Sequence, residues 1–171
     1  MNIEAVIFDV DQTLVDSTSA AAARQRRDWP SVYRQIHRVA VFAGMVDLWE
    51  RLRGEGALLA VVTNSPRPYC ERVLRHAGLR PDQSVCWHDT RAHKPDAEPM
   101  RLVLARLGLS ASSCISVGDS VDDVRSSLAA GIPAIAATWG GGDGAAMLAA
   151  GASGVTNRVE ELATLLLDPG S

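Results

Sequence analysis

The sequence predicts an α/β fold, a Rossmann-like doubly wound parallel sheet with helices on both faces. Three observations carry this. The runs Ile3–Phe8, Leu58–Val62, Cys114–Val117 and Ile132–Ala137 are nearly continuous in apolar residues rather than alternating, as parallel strands covered on both faces read. Helix-like segments stand between them. Polar clusters follow the strands, at the edge where an open parallel sheet binds its ligands.

In chain order, Ile3–Phe8 is the first strand. The segment Ser17–Ala43 does not fit the alternation. Within it, Ala20–Arg27 holds good helix formers, Asp28-Trp29-Pro30 reads as a break, and Pro30–Arg38 as a second short helix, since proline is tolerated in a first turn. Val46–Arg53 then reads as a helix, Leu58–Val62 as a strand and Pro68–Ala77 as a helix. Ser84–Trp87 is a weaker strand, and Glu98–Leu107 a helix. Cys114–Val117 is a strand, Val121–Ala130 a helix and Ile132–Ala137 a strand. A short strand at Gly154–Thr156 and a helix at Val159–Leu167 close the chain. Gly54, Gly78, Gly108 and Gly131 stand where left-handed stops are expected at the ends of four helices.

The 171 residues suggest a single domain, residues 1–171, with a minimal insert at about 17–43 that is too short for its own core. A chain of this size buries roughly 70% of its unfolded surface and needs no staples. The hydrophobic fraction of 47% argues against disorder, and a net charge of -3 does not favour nucleic acid as a partner. The three cysteines, Cys70, Cys86 and Cys114, are widely spaced and read as free thiols in a reducing compartment. With no signal peptide pattern and no apolar run of membrane-spanning length, the expected location is cytoplasmic.

The most informative run is Phe8-Asp9-Val10-Asp11-Gln12-Thr13-Leu14. Residues i and i+2 of a strand point the same way, so Asp9 and Asp11 converge where the chain leaves the sheet. Carboxylates that close repel, and a hard divalent cation with oxygen ligands would offset the repulsion. One carboxylate is then available as a nucleophile and the other as an acid/base. The second long strand runs into Thr63-Asn64-Ser65, the next into Gly118-Asp119-Ser120-Val121-Asp122-Asp123, and His93-Lys94-Pro95 lies between. Asp9, Asp11, Thr63, Lys94, Asp119 and Asp123 can therefore meet at one sheet edge. The carboxylates suit a cation; the hydroxyl, the lysine and backbone N–H groups suit a phosphoryl group.

In these motifs the chain resembles the haloacid dehalogenase superfamily of phosphohydrolases. Asp9-Val10-Asp11-Gln12-Thr13 looks like the first family motif and Thr63-Asn64 like the second. Lys94-Pro95 looks like the third, and Gly118 through Asp123 like the fourth. The stretch from Trp139-Gly140 through Gly151-Ala152 to Glu160-Glu161-Leu162 is similar to the phosphoglycolate-phosphatase-like branch. The resemblance implies an Mg²⁺-dependent phosphomonoester hydrolase acting on a small phosphorylated metabolite. Asp9 would form an aspartyl-phosphate, and Asp11 would protonate the leaving oxygen and later deprotonate the attacking water. The Asp9 carboxylate, the Asp11 carbonyl and Asp119 would hold Mg²⁺, with Asp123 in support. Thr63 and the Asn64 amide would bind phosphoryl oxygens, and Lys94 would offset charge on Asp9 and the phosphoryl group. Asp11 points to phosphate esters, because dehalogenases lack the second aspartate. Gln12 departs from the family, where Gly or Asp is usual. The larger members carry a sizeable helical cap, so a short insert implies an open site unless a second copy covers it in a homodimer.

Other readings compete. Within enzymes, an open site would admit a phosphoprotein or a nucleic acid end. From another class, a response-regulator receiver or a catalytically silent phosphate-binding module would use similar residues. A receiver carries its phosphorylated aspartate on the third strand, and Ser84–Trp87 has none at the matching place. Asp122 is expected in solvent near the helix dipole. His88 and His93, at i, i+5, match no strong zinc spacing and suggest surface or substrate contact. Gly140-Gly141-Gly142 lacks the Gly-Lys-Ser/Thr of a P-loop and reads as a flexible turn. Arg24, Arg26, Arg27, Arg34 and Arg38, against Asp28 alone, form a basic patch that is either a solvated face or an attractor of anionic substrate.

Overall fold

The computed structural model describes residues 3–167. The strands of the main sheet are β1 (Ala5–Phe8), β4 (Leu58–Val62), β5 (Gln83–Val85), β6 (Cys114–Gly118), β7 (Ala134–Ala137) and β8 (Gly154–Thr156). They form one parallel six-stranded sheet in the order β5-β4-β1-β6-β7-β8. A two-residue antiparallel pair, β2 (Val15–Asp16) and β3 (Ala40–Val41), stands apart. The helices are α1 (Ala21–Gln25), α2 (Trp29–Arg34), α3 (Met45–Gly54), α4 (Arg67–Ala77), α5 (Glu98–Leu107), α6 (Val121–Ala129), α7 (Gly144–Ala149) and α8 (Val159–Leu167).

The unbroken apolar runs are explained by which face each residue serves. Along β1, Val6 and Phe8 join one cluster with residues of α3, α4 and α8. Ala5 and Ile7 join the opposite cluster with Met100 and Val103 of α5. In β4, Leu59 and Val61 take the first face and Ala60 and Val62 the second. A strand so placed has no polar side. Phe8 packs on Trp49 of α3 with ring centroids 5.6 Å apart.

Register then aligns the strand ends. Phe8 is level with Val61 of β4 and with Val117 of β6. Asp9, Thr63 and Asp119 therefore leave neighbouring strands on the same edge. β1 lies between β4 and β6, so the strand order reverses beside it, the place where such sheets bind ligands.

The segment at residues 17–43 has no core of its own. Ala20, Ala23, Val32 and Ile36 are buried in the cluster that β1, α3 and α4 already share. The β2–β3 pair ties its two ends together. The expected helix at Ala20–Arg27 is shorter, a 3₁₀ turn at Thr18–Ala20 running into α1. The expected break is displaced: the Asp28 side chain accepts from the Ser31 N–H and caps α2, so Trp29 and Pro30 form its first turn. The helix expected through Arg38 stops at Arg34, and a 3₁₀ turn covers Ile36–Arg38. Cys86, expected in a strand, follows β5 and caps a 3₁₀ turn.

Gly78 and Gly108 are left-handed caps as expected, with φ of 72° and 69°. Gly54 is not: it stays in the last turn of α3, and the chain reverses at Gly56, φ 86°. The glycine run after β7 is a close-packed support rather than a free turn. A Cβ on Gly140 would lie 2.0 Å from the Gln12 carbonyl oxygen, and one on Gly142 2.4 Å from that of Asp119. Trp139 Nε1 donates to the Thr13 carbonyl at 2.9 Å. This loop therefore buttresses the turn that follows β1.

Candidate active site

Asp9 sits at the end of β1, its N–H donating to the Val117 carbonyl at 2.9 Å. Lys94, only 7% exposed, joins the acidic groups. Its Nζ donates to Asp9 Oδ1 at 2.7 Å, to Asp123 Oδ1 at 2.5 Å and to the Val62 carbonyl at 2.9 Å. All three donors of the ammonium are thereby used. Asn64 fixes the lysine's backbone: its amide donates to the Lys94 carbonyl at 2.9 Å, and its Oδ1 accepts from the Lys94 N–H at 3.1 Å. The Lys94–Pro95 bond is cis. The Asn64 side chain is thus engaged with the Lys94 backbone.

Asp123 is aimed by its helix terminus. Ser120 caps α6 by accepting from the Asp123 N–H, and Asp123 Oδ2 accepts from the Ser120 N–H at 3.1 Å and hydroxyl at 2.6 Å. Such a reciprocal box satisfies two helix-end donors and fixes the carboxylate. The side chain passes over Gly118, where an added Cβ would lie 2.4 Å from the Asp123 Cβ. Asp119 Oδ1 accepts from the Thr13 hydroxyl at 3.3 Å.

Carboxylate oxygens of Asp9, Asp119 and Asp123 lie within 4.8 Å of one another. Burial pushes the Asp9 carboxyl up to about 8; Lys94 opposes this, and Asp123, Asp119 and Asp11 add to it. Burial, then Asp123, pushes Asp119 up to about 6. Burial alone would lower Lys94, but Asp123 and Asp9 outweigh it and hold the ammonium above its ordinary range. Three convergent hard oxygen donors, costly to ionise together, fit a divalent cation.

The Asp11 carboxylate is not part of this cluster. Its Oδ2 accepts from Arg24 at 2.6 Å and from the Ser65 hydroxyl at 2.9 Å, and its Oδ1 from the Tyr69 hydroxyl at 2.6 Å. Arg24 also donates to Ser17 Oγ at 2.9 Å, and its guanidinium lies 5.0 Å from the Tyr69 ring centroid. The basic segment therefore divides. Arg24 is drawn into the site, while Arg26 and Arg27 stay exposed. Thr63 is buried, its Oγ1 accepting from the Ser65 N–H at 3.0 Å.

Two hollows with shared lining residues result. One of about 200 Å³ is lined by Asp9, Asp11, Thr63, Lys94, Asp119 and Asp123, with the exposed Asp122 at its rim. The other, about 530 Å³, is lined by Gln12, Arg27, Trp29, Trp87 and His88 among others; Arg24, Asn64 and Ser65 line both. His93 stacks on Trp87 with centroids 3.4 Å apart, its Nδ1 3.4 Å from the Thr90 hydroxyl oxygen.

The model of the haloacid dehalogenase-like hydrolase family matches residues 21–137. The chain belongs to that family. The matched stretch holds Thr63, Lys94, Asp119 and Asp123, while Asp9 and Asp11 precede it. A phosphoglycolate phosphatase of Pectobacterium atrosepticum is 32% identical over 130 residues, covering 74% of this chain and 56% of that protein. One of Rhodospirillum rubrum is 37% identical over 103 residues, 59% of this chain and 43% of that protein. The chain thus spans about half the length of the curated relatives it matches. Among solved structures, a hydrolase from Pseudomonas syringae superposes with a TM-score of 0.87 at 20% identity, over 99% of this chain and 100% of that one. A haloacid dehalogenase family hydrolase from Deinococcus radiodurans, with bound phosphate and sodium, gives 0.82 at 22% identity over 99% and 97%. These two share the fold.

Ser65, Tyr69 and Ser120 were not singled out by sequence. Ser65 follows the Thr63-Asn64 motif directly, and Ser120-x-x-Asp123 is a capping pattern, so both carried a local signal. Tyr69 sits on an ordinary apolar helix face and carried none.

Proposed function

We propose that this protein is an Mg²⁺-dependent phosphomonoester hydrolase that works through an aspartyl-phosphate on Asp9. The observation that carries the reading is Lys94 Nζ, buried and bonded to Asp9 and Asp123 beside Asp119. One carboxylate oxygen is held by the ammonium, and the other is left to attack phosphorus in line. As the Asp9 oxygen–phosphorus bond forms, the bond to the leaving oxygen breaks, and Asp11 supplies that oxygen's proton. Asp11 then takes a proton from water, whose oxygen attacks phosphorus and frees Asp9. Thr63, the Asn64 N–H and Lys94 offset the charge on the phosphoryl oxygens, a stabilisation made larger by burial. Asp9, Asp119 and Asp123, with the Asp11 carbonyl, would hold Mg²⁺, which when bound neutralises phosphoryl charge.

The substrate is a small phosphorylated metabolite, as the names of the relatives suggest, and residues 17–43 act as a minimal cap on a one-domain chain. The free, buried thiols of Cys70, Cys86 and Cys114 support a reducing, cytoplasmic setting. Among the described residues no helix is long and apolar enough to cross a membrane. The test is steady-state turnover of a panel of sugar phosphates, nucleotides, phosphoglycolate and phosphopeptides, with Mg²⁺ and with chelator. Metal-dependent turnover of small esters is expected. Preference for phosphopeptides would favour the macromolecular reading, and turnover in chelator without residual metal would remove the cation from the account.

A further inference from the structure

Arg24 is placed where two demands on it conflict. Its guanidinium is ion-paired with Asp11 and also lines the larger hollow. The Arg24 side chain is 25% exposed and that of Asp11 12%, so the pair is only partly screened. Among the described residues lining the larger hollow there is no carboxylate, yet Arg24, Arg27 and His88 are there. Trp29 and Trp87 add flat apolar surface. A volume of about 530 Å³ lies within the range of ligand sites, about 300–1,000 Å³. For a substrate whose phosphoryl group lies beside Asp9, this adjoining hollow presents two charged side chains, Arg24 and Arg27, both basic.

Resting on the phosphatase reading, we infer that Arg24 recognises a second anionic group on the substrate's leaving portion and, by turning to it, releases Asp11 for proton transfer. The ligand chemistry is an anion, carboxylate or phosphate, carried by the leaving alcohol. The Arg24 Nη2 that bonds Asp11 also donates to Ser65 Oγ at 3.1 Å, and Nη1 donates to Ser17, so turning the guanidinium toward a second anion draws Nη2 away from Asp11. An anionic leaving group therefore competes for the guanidinium, and a neutral one leaves Asp11 tied to Arg24, Ser65 and Tyr69. Arg24 is in this sense both a specificity-determining and a positioning residue. A swing of the side chain would exchange its bonds to Asp11, Ser65 and Ser17 for those to the second anion.

The experiment compares wild type, Arg24→Met and Arg24→Lys on three esters with Mg²⁺. These are glycerol 2-phosphate (neutral leaving group), phosphoglycolate (carboxylate) and a sugar bisphosphate (second phosphate). Methionine keeps much of the side-chain length and packing without the charge. Wild type should favour the anionic esters in kcat/KM. Arg24→Met should reduce that preference by roughly ten- to hundredfold, the worth of a charge-assisted hydrogen bond. Its kcat on glycerol 2-phosphate should rise, since Asp11 keeps its bonds to Ser65 and Tyr69 but loses its pairing with the guanidinium. Arg24→Lys should restore part of the preference, which also shows that the position tolerates change. The two anionic arms show which anion is read. An unchanged preference in Arg24→Met, or equal loss on all three esters, overturns the inference. If wild type hydrolyses none of them, the phosphatase reading fails separately. The charge reading is then decided by titrating glycolate and inorganic phosphate against tryptophan fluorescence. Binding weakened by roughly tenfold or more in Arg24→Met supports it, and equal binding overturns it.

Discussion

The Tyr69 hydroxyl donates to Asp11 Oδ1 at 2.6 Å, across 58 positions of sequence. Tyr69 is fully buried in the first turns of α4, and burial, then the Asp11 charge, raises its phenol above the ordinary range. It stays a neutral donor to the carboxylate. Tyr69→Phe keeps the ring and leaves that oxygen without its partner. The expected cost is about 1.5–3 kcal/mol, the usual worth of a hydrogen bond to a charged group. In a chain of this size that lowers the melting temperature by about 2–4 °C per kcal/mol. In Asp11→Asn the same tyrosine change should cost less. A double-mutant cycle by thermal melts reads the coupling, and additive costs would show that the bond contributes nothing.

The acidic cluster makes stability depend on pH in a definite direction. Asp9 is pushed up to about 8 and Asp119 to about 6, chiefly by burial. Both folded-state values lie above the unfolded one, so the folded chain binds protons more tightly there. The stability they contribute is complete below the unfolded value and is lost as pH rises through about 6 to 8. Metal-free protein should therefore melt at higher temperature at pH 6 than at pH 8.5. Added divalent cation should raise the melt most at the higher pH, because binding requires deprotonated carboxylates. A metal-free melt that rises across this window would contradict the cluster's electrostatics.

Gln12 has φ of 64°, a left-handed value that costs a non-glycine residue about 1–2 kcal/mol. Gln12→Gly should remove that strain and give back part of it in unfolded-chain entropy, for a net gain of up to about 1 kcal/mol. Gly140→Ala should do the opposite, since its Cβ would meet the Gln12 carbonyl. A loss of about 1–3 kcal/mol is expected from such overpacking. Chemical denaturation of both variants checks the pair, and equal stabilities would show that this contact yields freely.

Much of this was legible because it is local. The strands buried on both faces announced themselves as unbroken apolar runs, and Asp9, Thr63 and Asp119 follow them within two residues. Lys94 could be placed only through its motif, since its ion pairs with Asp9 and Asp123 span 85 and 29 positions. The β2–β3 pair was hidden because two residues show no period. Arg24 looked like any arginine of a basic helix; its pairing with Asp11 depends on how the insert folds back over β1. Tyr69 satisfied an apolar pattern completely, and nothing in that pattern reveals where a hydroxyl points. Gln12 was visible as a departure from the Gly or Asp expected in the motif, and its left-handed φ is one that glycine adopts freely and aspartate tolerates better than most residues.

The central claim is that Asp9 takes the phosphoryl group, and it can be read directly. Protein turning over a small phosphate ester with Mg²⁺ is quenched in acid, and any acyl phosphate is reduced with borohydride, which converts a phosphorylated aspartate to homoserine. Peptide mass spectrometry then locates the modified position. Reduction should fall on position 9, and Asp9→Ala should abolish both labelling and turnover. Asp11→Asn should still label from an activated aryl phosphate while losing about 10²–10⁴-fold on alkyl esters. Turnover with no label at position 9, or a label at Asp11 or Asp119, would contradict the account.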